Sequence, residues 1–188
     1  MRHTISILIA NEFGELSRVV GLFSGRGFNI ESLCVAETLD RSVSRITLVT
    51  SGNDQIIEQI VKQLRKLVRV VRVTDVTRIK HIEREMALIN VAAGTGPARQ
   101  EVLSLVNVFR AKVVDISHDG LIIEASGTQE KVEAFINLLR PFGIREIVRT
   151  GKVAMGRLSS RSVAQLQEGR APQAEGPEQE VEEPAYES

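Results

Sequence analysis

Apolar residues run through the same strand and helix rhythm twice along this chain, and that repetition limits its fold more than any other feature. Ile5, Ile7 and Ile9 alternate with Thr4, Ser6 and Leu8, the period of a strand with one apolar face. The breaker cluster Asn11-Glu12-Phe13-Gly14-Glu15 follows. Leu16, Val19, Val20 and Phe23 then form a helix stripe, which ends at Gly25-Arg26-Gly27. Residues 29–38 are rich in strand formers, 39–42 read as a turn, and 43–50 as the returning strand. Ile57, Ile60, Val61, Leu64, Leu67 and Val68 predict a second helix, and 70–76 a fourth strand.

The rhythm then restarts. Residues 86–92 predict a strand, Gly94-Thr95-Gly96-Pro97 a loop, and Pro97 the first position of a helix. Val102, Leu105, Val106 and Phe109 repeat the Leu16 to Phe23 stripe at a shift of 86 residues. Asp119-Gly120 is a hairpin signal between strands at 113–117 and 121–125. Val132, Phe135, Ile136 and Leu139 repeat Ile57, Ile60, Val61 and Leu64 at a shift of 75, and 144–149 supply the last strand. The expected fold is α+β: two tandem ferredoxin-like βαββαβ units over 1–78 and 79–158, joined near Arg78-Ile79-Lys80-His81. Strands apolar on both faces, such as Leu121-Ile122-Ile123, imply burial of both sides of a sheet and hence a homodimer.

Charge separates the last stretch from the rest. Residues 167–188 hold seven Glu against one Arg, net −6, which leaves 23 basic and 17 acidic residues elsewhere, net +6. With three of the five prolines there as well, 159–188 read as a disordered Glu/Pro-rich tail. A body at +6 is too weakly basic to point to nucleic acid, and no central strand carries the aromatic pair that RNA stacks on. No apolar run is long enough for a membrane span, and no leader is visible at the start, so a cytoplasmic protein is expected.

Catalytic constellations are missing from the pattern. His3, His81 and His118 lack ligand-spaced partners, there is no phosphate-binding glycine loop, and Cys34 reads as a small buried hydrophobe. The expectation is a chain with no active site, cofactor or metal of its own. The junction at Asn11 to Gly14 is different. A helix start leaves several N–H groups unpaired and partly positive, which suits a carboxylate. Gly14 lets a ligand approach the backbone, and Asn11 offers a carbonyl oxygen and two donors. Those groups match the α-carbon end of a free amino acid. Spacing alone favours the plainer reading, a helix cap at Asn11 and a turn at Gly14. A second asparagine, Asn29, stands where the second strand is expected to begin.

Specific stretches carry a resemblance. They are Asn11-Glu12 with Gly14, Leu16-Ser17-Arg18-Val19, Gly21-Leu22-Phe23-Ser24, and Arg26-Gly27-Phe28-Asn29-Ile30-Glu31-Ser32-Leu33, with Ser44-Arg45 after them. Ile82 to Met86, Phe109-Arg110-Ala111, Val114-Asp115, Gly127-Thr128 and the run from Pro141 to Gly151 continue the match. The chain resembles the regulatory small subunits of acetolactate synthase (acetohydroxyacid synthase), whose first unit is an ACT domain. The resemblance implies a separate catalytic large subunit that uses thiamine diphosphate, Mg²⁺ and FAD. It also implies feedback inhibition by valine or a related branched-chain amino acid bound between two ACT domains. Carried over, Asn11 and Gly14 would hold the effector's carboxylate and ammonium, Asn29 and Ile30 of a second copy would close the site, and Phe13 and Leu16 would line it. The alternative is a stand-alone ACT sensor, or a regulatory module of another biosynthetic enzyme.

Overall fold

Both repeats fold as the apolar rhythm requires. The structure, a computed structural model, describes residues 1–158, and the tail expected over 159–188 lies outside the described residues. The first repeat comprises β1 (Arg2–Ala10), α1 (Glu15–Ser24), β2 (Ser32–Glu37), β3 (Val43–Ser51), α2 (Asp54–Leu64) and β4 (Val70–Asp75). Its strands lie in the antiparallel order β2-β3-β1-β4, so β2 is an edge strand. Ile5 and Ile7 sit opposite Leu48 and Ile46 on one face. Val19 and Phe23 of α1 and Ile57, Ile60 and Leu64 of α2 close over that face in a single buried cluster. Removing each such side chain from water contributes about 1.5–3 kcal/mol, which makes this stripe-on-strand contact the main stabilising term. The other face is small and largely polar, with Thr4, Ser6, Thr47 and Val49 buried on it.

β5 (His81–Val91), α3 (Pro97–Phe109), β6 (Lys112–Ile116), β7 (Leu121–Gly127), α4 (Gln129–Leu139) and β8 (Ile144–Arg149) form the second repeat, in the matching order β6-β7-β5-β8. Its core has Ala87, Ile89, Val91, Leu121 and Ile123 beneath Val102, Val106, Val132, Phe135 and Leu139. Phe109 leans on Phe135 with ring centroids 4.9 Å apart. The aromatic rings of Phe23 and Phe135 are thus core, as their helix spacing implies.

Five expectations are corrected. The Leu16 to Phe23 stripe does not recur at a shift of 86: the buried pair Val19 and Phe23 corresponds to Val102 and Val106, a shift of 83. A slip of three residues is nearly one helical turn, so a stripe pattern alone does not detect it. The second helix stops at Leu64; Leu67 packs on the core from the following turn and Val68 is exposed. β2 starts at Ser32, not at Asn29, because Phe28 and Ile30 turn into the core from a loop and mimic strand alternation. β5 starts at His81 rather than at 86, because its first four residues pair with a ninth strand, β9 (Val153–Gly156), that no alternation marks. Finally, Cys34 is half-exposed rather than buried, since it lies on the edge strand with Thr47 as its cross-strand neighbour.

Candidate functional site

The junction between β1 and α1 is built by three loops at one end of the first sheet. The Asn11 amide N–H donates to the Ser42 carbonyl at 2.7 Å, and the Ala10 N–H to the Arg69 carbonyl at 2.9 Å. The 10–14 segment therefore sits between the β2–β3 hairpin and the α2–β4 turn. The Glu12 carboxylate meets Arg69 at 3.3 Å. Asp40 stiffens the hairpin tip, since its carboxylate accepts from the Ser42 hydroxyl (2.6 Å) and N–H (2.9 Å). Those bonds hold the Asp40 carboxyl below its ordinary pKa.

Asn11 does not cap the helix. Its Nδ2 donates to Glu37 Oε1 at 3.2 Å and to the Arg41 carbonyl at 3.0 Å, so both donors expected to be free are spent. The Oδ1 acceptor is what Asn11 retains for a ligand. The N-cap residue is Gly14, with φ 83° and ψ −10°, and no side chain caps α1. A left-handed φ is one that side-chain-bearing residues rarely adopt, so the turn itself favours glycine, with Asn and Asp the next most tolerant. A Cβ added there would meet no atom within 4 Å, so the space in front of the first helical turn is open. By contrast, Asn53 caps α2 at the Ile56 N–H (2.9 Å) and Thr128 caps α4 at the Lys131 N–H (3.4 Å). Uncapped first-turn amides next to open space can hold an anionic oxygen, while Asn11 Oδ1 can accept from a cation. That is the charge layout of a zwitterion.

Phe13 is fully exposed and Leu16 is 40% exposed, both beside this opening. Glu15, which sequence reasoning passed over, turns under the helix: it is buried, with Oε1 on Arg18 Nη1 at 2.9 Å. Glu37, Arg41 and Ser42 were also missed as the support of Asn11; they lie 26 to 31 positions away, beyond any local signal.

Asn29 and Ile30 lie elsewhere. The Asn29 carbonyl accepts the Thr50 hydroxyl at 2.6 Å, and the Glu31 N–H donates to the Val49 carbonyl at 2.8 Å. Asn29 is exposed, while Ile30 is half-buried against the core. Ser42, beside Asn11, and Thr50, beside Asn29, flank opposite ends of β3, roughly 25 Å apart at ~3.3 Å per residue. One chain therefore separates the two halves of the expected site.

The matching junction of the second repeat is closed by its own cation. Gly96, at φ 104°, precedes α3 and again no side chain caps it. Here Arg99 reaches back: Nε donates to the Gly94 carbonyl (2.9 Å), and Nη2 to the carbonyls of Ala93 (2.9 Å), Ser117 (2.5 Å) and His118 (3.0 Å). Arg99→Ala would leave the part-buried carbonyls of Ala93 and Gly94 without their donor, and chemical denaturation should show a loss of about 1–3 kcal/mol; a loss under ~0.5 kcal/mol would show that water replaces the guanidinium.

Among the described residues no group of three His, Cys, Asp or Glu side chains is placed to hold a metal, and no helix is long and apolar enough to cross a membrane.

Comparison with known proteins locates this architecture. Residues 5–72 match a family model described as an AHAS small subunit-like ACT domain, and residues 84–158 one described as the small subunit of acetolactate synthase. The chain is 50% identical over 157 residues to a probable acetolactate synthase small subunit of Archaeoglobus fulgidus, covering 84% of this chain and 98% of that one. It is 49% identical over 156 residues to the acetolactate synthase small subunit of Aquifex aeolicus, covering 83% and 81%. The crystal structure of the Thermotoga maritima acetolactate synthase small subunit superposes with a TM-score of 0.77 at 46% identity, covering 85% of this chain and 99% of that one. Because both repeats match, the second to a model specific to small subunits, a stand-alone ACT sensor is set aside: the chain belongs to the acetolactate synthase small-subunit family.

Proposed function

We propose that this chain is a cytoplasmic regulatory subunit that raises the activity of the catalytic acetolactate synthase chain and makes it sensitive to valine or a related branched-chain amino acid. On this reading the thiamine diphosphate, Mg²⁺ and FAD of the reaction belong to the catalytic chain. The observation that carries the proposal is the uncapped start of α1, open at Gly14, with its complement Asn29 at the far end of the same sheet. β2 is the edge strand that runs between those ends: Glu37, at its last residue, holds Asn11, and Asn29 precedes its first. Antiparallel, two-fold pairing of β2 with β2 of a second copy sets the Asn11 end of one chain beside the Asn29 end of the other. The effector's carboxylate then meets the first-turn amides, its ammonium meets Asn11 Oδ1, and its aliphatic side chain meets Phe13, Leu16 and Ile30.

A ligand wedged between two chains favours one arrangement of the dimer by its differential affinity, typically 1–3 kcal/mol. A catalytic chain docked elsewhere on that dimer reads the shift as altered turnover. Titration calorimetry with valine, leucine and isoleucine, followed by reconstitution with the catalytic chain, tests the proposal. Binding of at least one, with inhibition of the reconstituted enzyme, is the expected result; no uptake of any of them refutes it. Asn29→Ala should weaken effector binding about 10-fold or more, the loss of one hydrogen bond to a charged group, without lowering activation.

A further inference from the structure

The connection between β8 and β9 leaves the second sheet and lands on the first, beside Asn29. Thr150 is fixed to β5 by two bonds: its N–H donates to the Met86 carbonyl at 3.1 Å, and its Oγ1 accepts the Met86 N–H at 3.1 Å. Two residues on, the Lys152 N–H donates to Ser32 Oγ at 3.1 Å, across 120 positions of sequence. Ser32 opens β2, three residues after Asn29. Between those anchors Gly151 takes φ 80°, and a Cβ on it would stand 2.7 Å from Ser32 Oγ and 3.5 Å from the Leu33 carbonyl oxygen. The contact is thus tight: a side chain at 151 would have to displace the Ser32 hydroxyl as well as adopt a strained φ.

The same place forms a polar cleft of about 420 Å³, lined by Arg2, Glu31, Ser32, Glu85, Arg149 and Lys152. Its charges are already matched within the chain. Arg2 pairs with Glu31 at 2.6 Å, Lys152 with Glu83 at 2.9 Å, and Arg149 with Glu85 and with Glu133, the latter at 3.1 Å. A ligand entering there would have to break pairs on both sides, so the cleft has the make-up of a joint rather than a binding site. Its pairs tie each side down: Glu31 to the first sheet, Lys152 and Arg149 to the second.

We propose that the Gly151–Lys152 strap on Ser32 is the coupling joint through which occupancy of the effector site reaches the second repeat. The inference rests on the effector reading of Asn29 above. Capture of a ligand by Asn29 displaces or immobilises the loop that ends at Ser32. The only covalent distance to cover is three residues, and the loop is pinned to β3 at the Asn29 carbonyl and the Glu31 N–H. The bistable element is the strap contact itself, which is either made, with Gly151 seated against Ser32, or broken. A coupling free energy needs such an element, one that both sites bias.

The experiment uses the full chain, L-valine with L-leucine and L-isoleucine in parallel, and hydrogen exchange read by mass spectrometry, followed by reconstitution with the catalytic chain. In the wild type, ligand should slow exchange at 11–18 and 29–33 and also change it at 149–156. Ser32→Ala, which removes the acceptor on a half-exposed residue, should keep the first two effects and lose the third. Effector affinity of the isolated small subunit should stay within about twofold, while the inhibitory response of the reconstituted enzyme falls about fivefold or more. Ser32→Thr, which keeps the hydroxyl, should restore both. Gly151→Ala, which forces the contact apart, should act as Ser32→Ala does. Ligand protection at 11–18 with no response at 149–156 overturns the joint and leaves the effector site standing. Wild-type inhibition in Ser32→Ala also overturns it, and protection nowhere removes the effector site and the joint together.

Discussion

Gly14→Asp should abolish valine binding, by about 100-fold or more, while the variant still folds and still activates the catalytic chain. Two features of Gly14 separate these outcomes. Nothing lies within 4 Å of an added Cβ, so the side chain has room. The strain of φ 83° is tolerable for Asp, which adopts left-handed backbone more readily than most residues. The new carboxylate then stands at the start of a helix that has no side-chain cap. It satisfies the amides that the effector's carboxylate would use, and it repels that carboxylate. Gly14→Ala carries the same backbone strain without the charge, so it should weaken binding only a few-fold. Calorimetry on the three proteins distinguishes the two effects. Equal losses in Ala and Asp would mean that backbone strain, not anion occupancy, governs the site.

Phe135→Ala should cost about 3–5 kcal/mol, the largest stability effect expected of any single side chain in the second repeat. Phe135 is 0% exposed, leans on Phe109, and lies in the cluster that joins α4 to β5 and β7. Phe109 is itself half-buried at the open end of α3, so collapse around the void leaves its ring without its partner. Urea unfolding should show a lower midpoint with an unchanged slope; a loss under about 1 kcal/mol would mean that the core repacks.

Most of this architecture is readable from apolar spacing because each strand and helix buries a single face. The stripe Val132, Phe135, Ile136 and Leu139 aligns with Ile57, Ile60, Val61 and Leu64 in the structure as it does in the sequence, and all four of the former are buried. Readability fails where burial is not one-sided. Phe28 and Ile30 point inward from a loop, so β2 reads three residues too long at its start. The extension of β5 at His81–Arg84 carries Glu83 and Arg84, and its partner β9 is four residues long, so neither leaves a period-2 trace.

The candidate site divides in the same way. Gly14 and the break before α1 are local and were legible; that no side chain caps α1 was not, because Asn11 in that break also reads as a cap. The support of Asn11 by Glu37 and the Arg41 carbonyl is not, because hydrogen-bond partners across a sheet leave no spacing to read. Spacing could not show either that Asn11 and Asn29 flank opposite ends of one sheet, a fact that depends on the register of β3 against β1 and β2.

The most direct measurement is complementation between two defective chains. Gly14→Asp, which should not bind valine, and Asn29→Ala, which should bind it about 10-fold more weakly, are co-expressed so that mixed dimers form, and valine uptake is titrated. In a site shared across the two-fold axis, each mixed dimer has one pocket built from an intact Gly14 of one chain and an intact Asn29 of the other. Random mixing should then restore about a quarter of the wild-type binding capacity at near wild-type affinity. Uptake no greater than that of the separate variants would place both residues in a single-chain pocket, or in none, and would contradict the account.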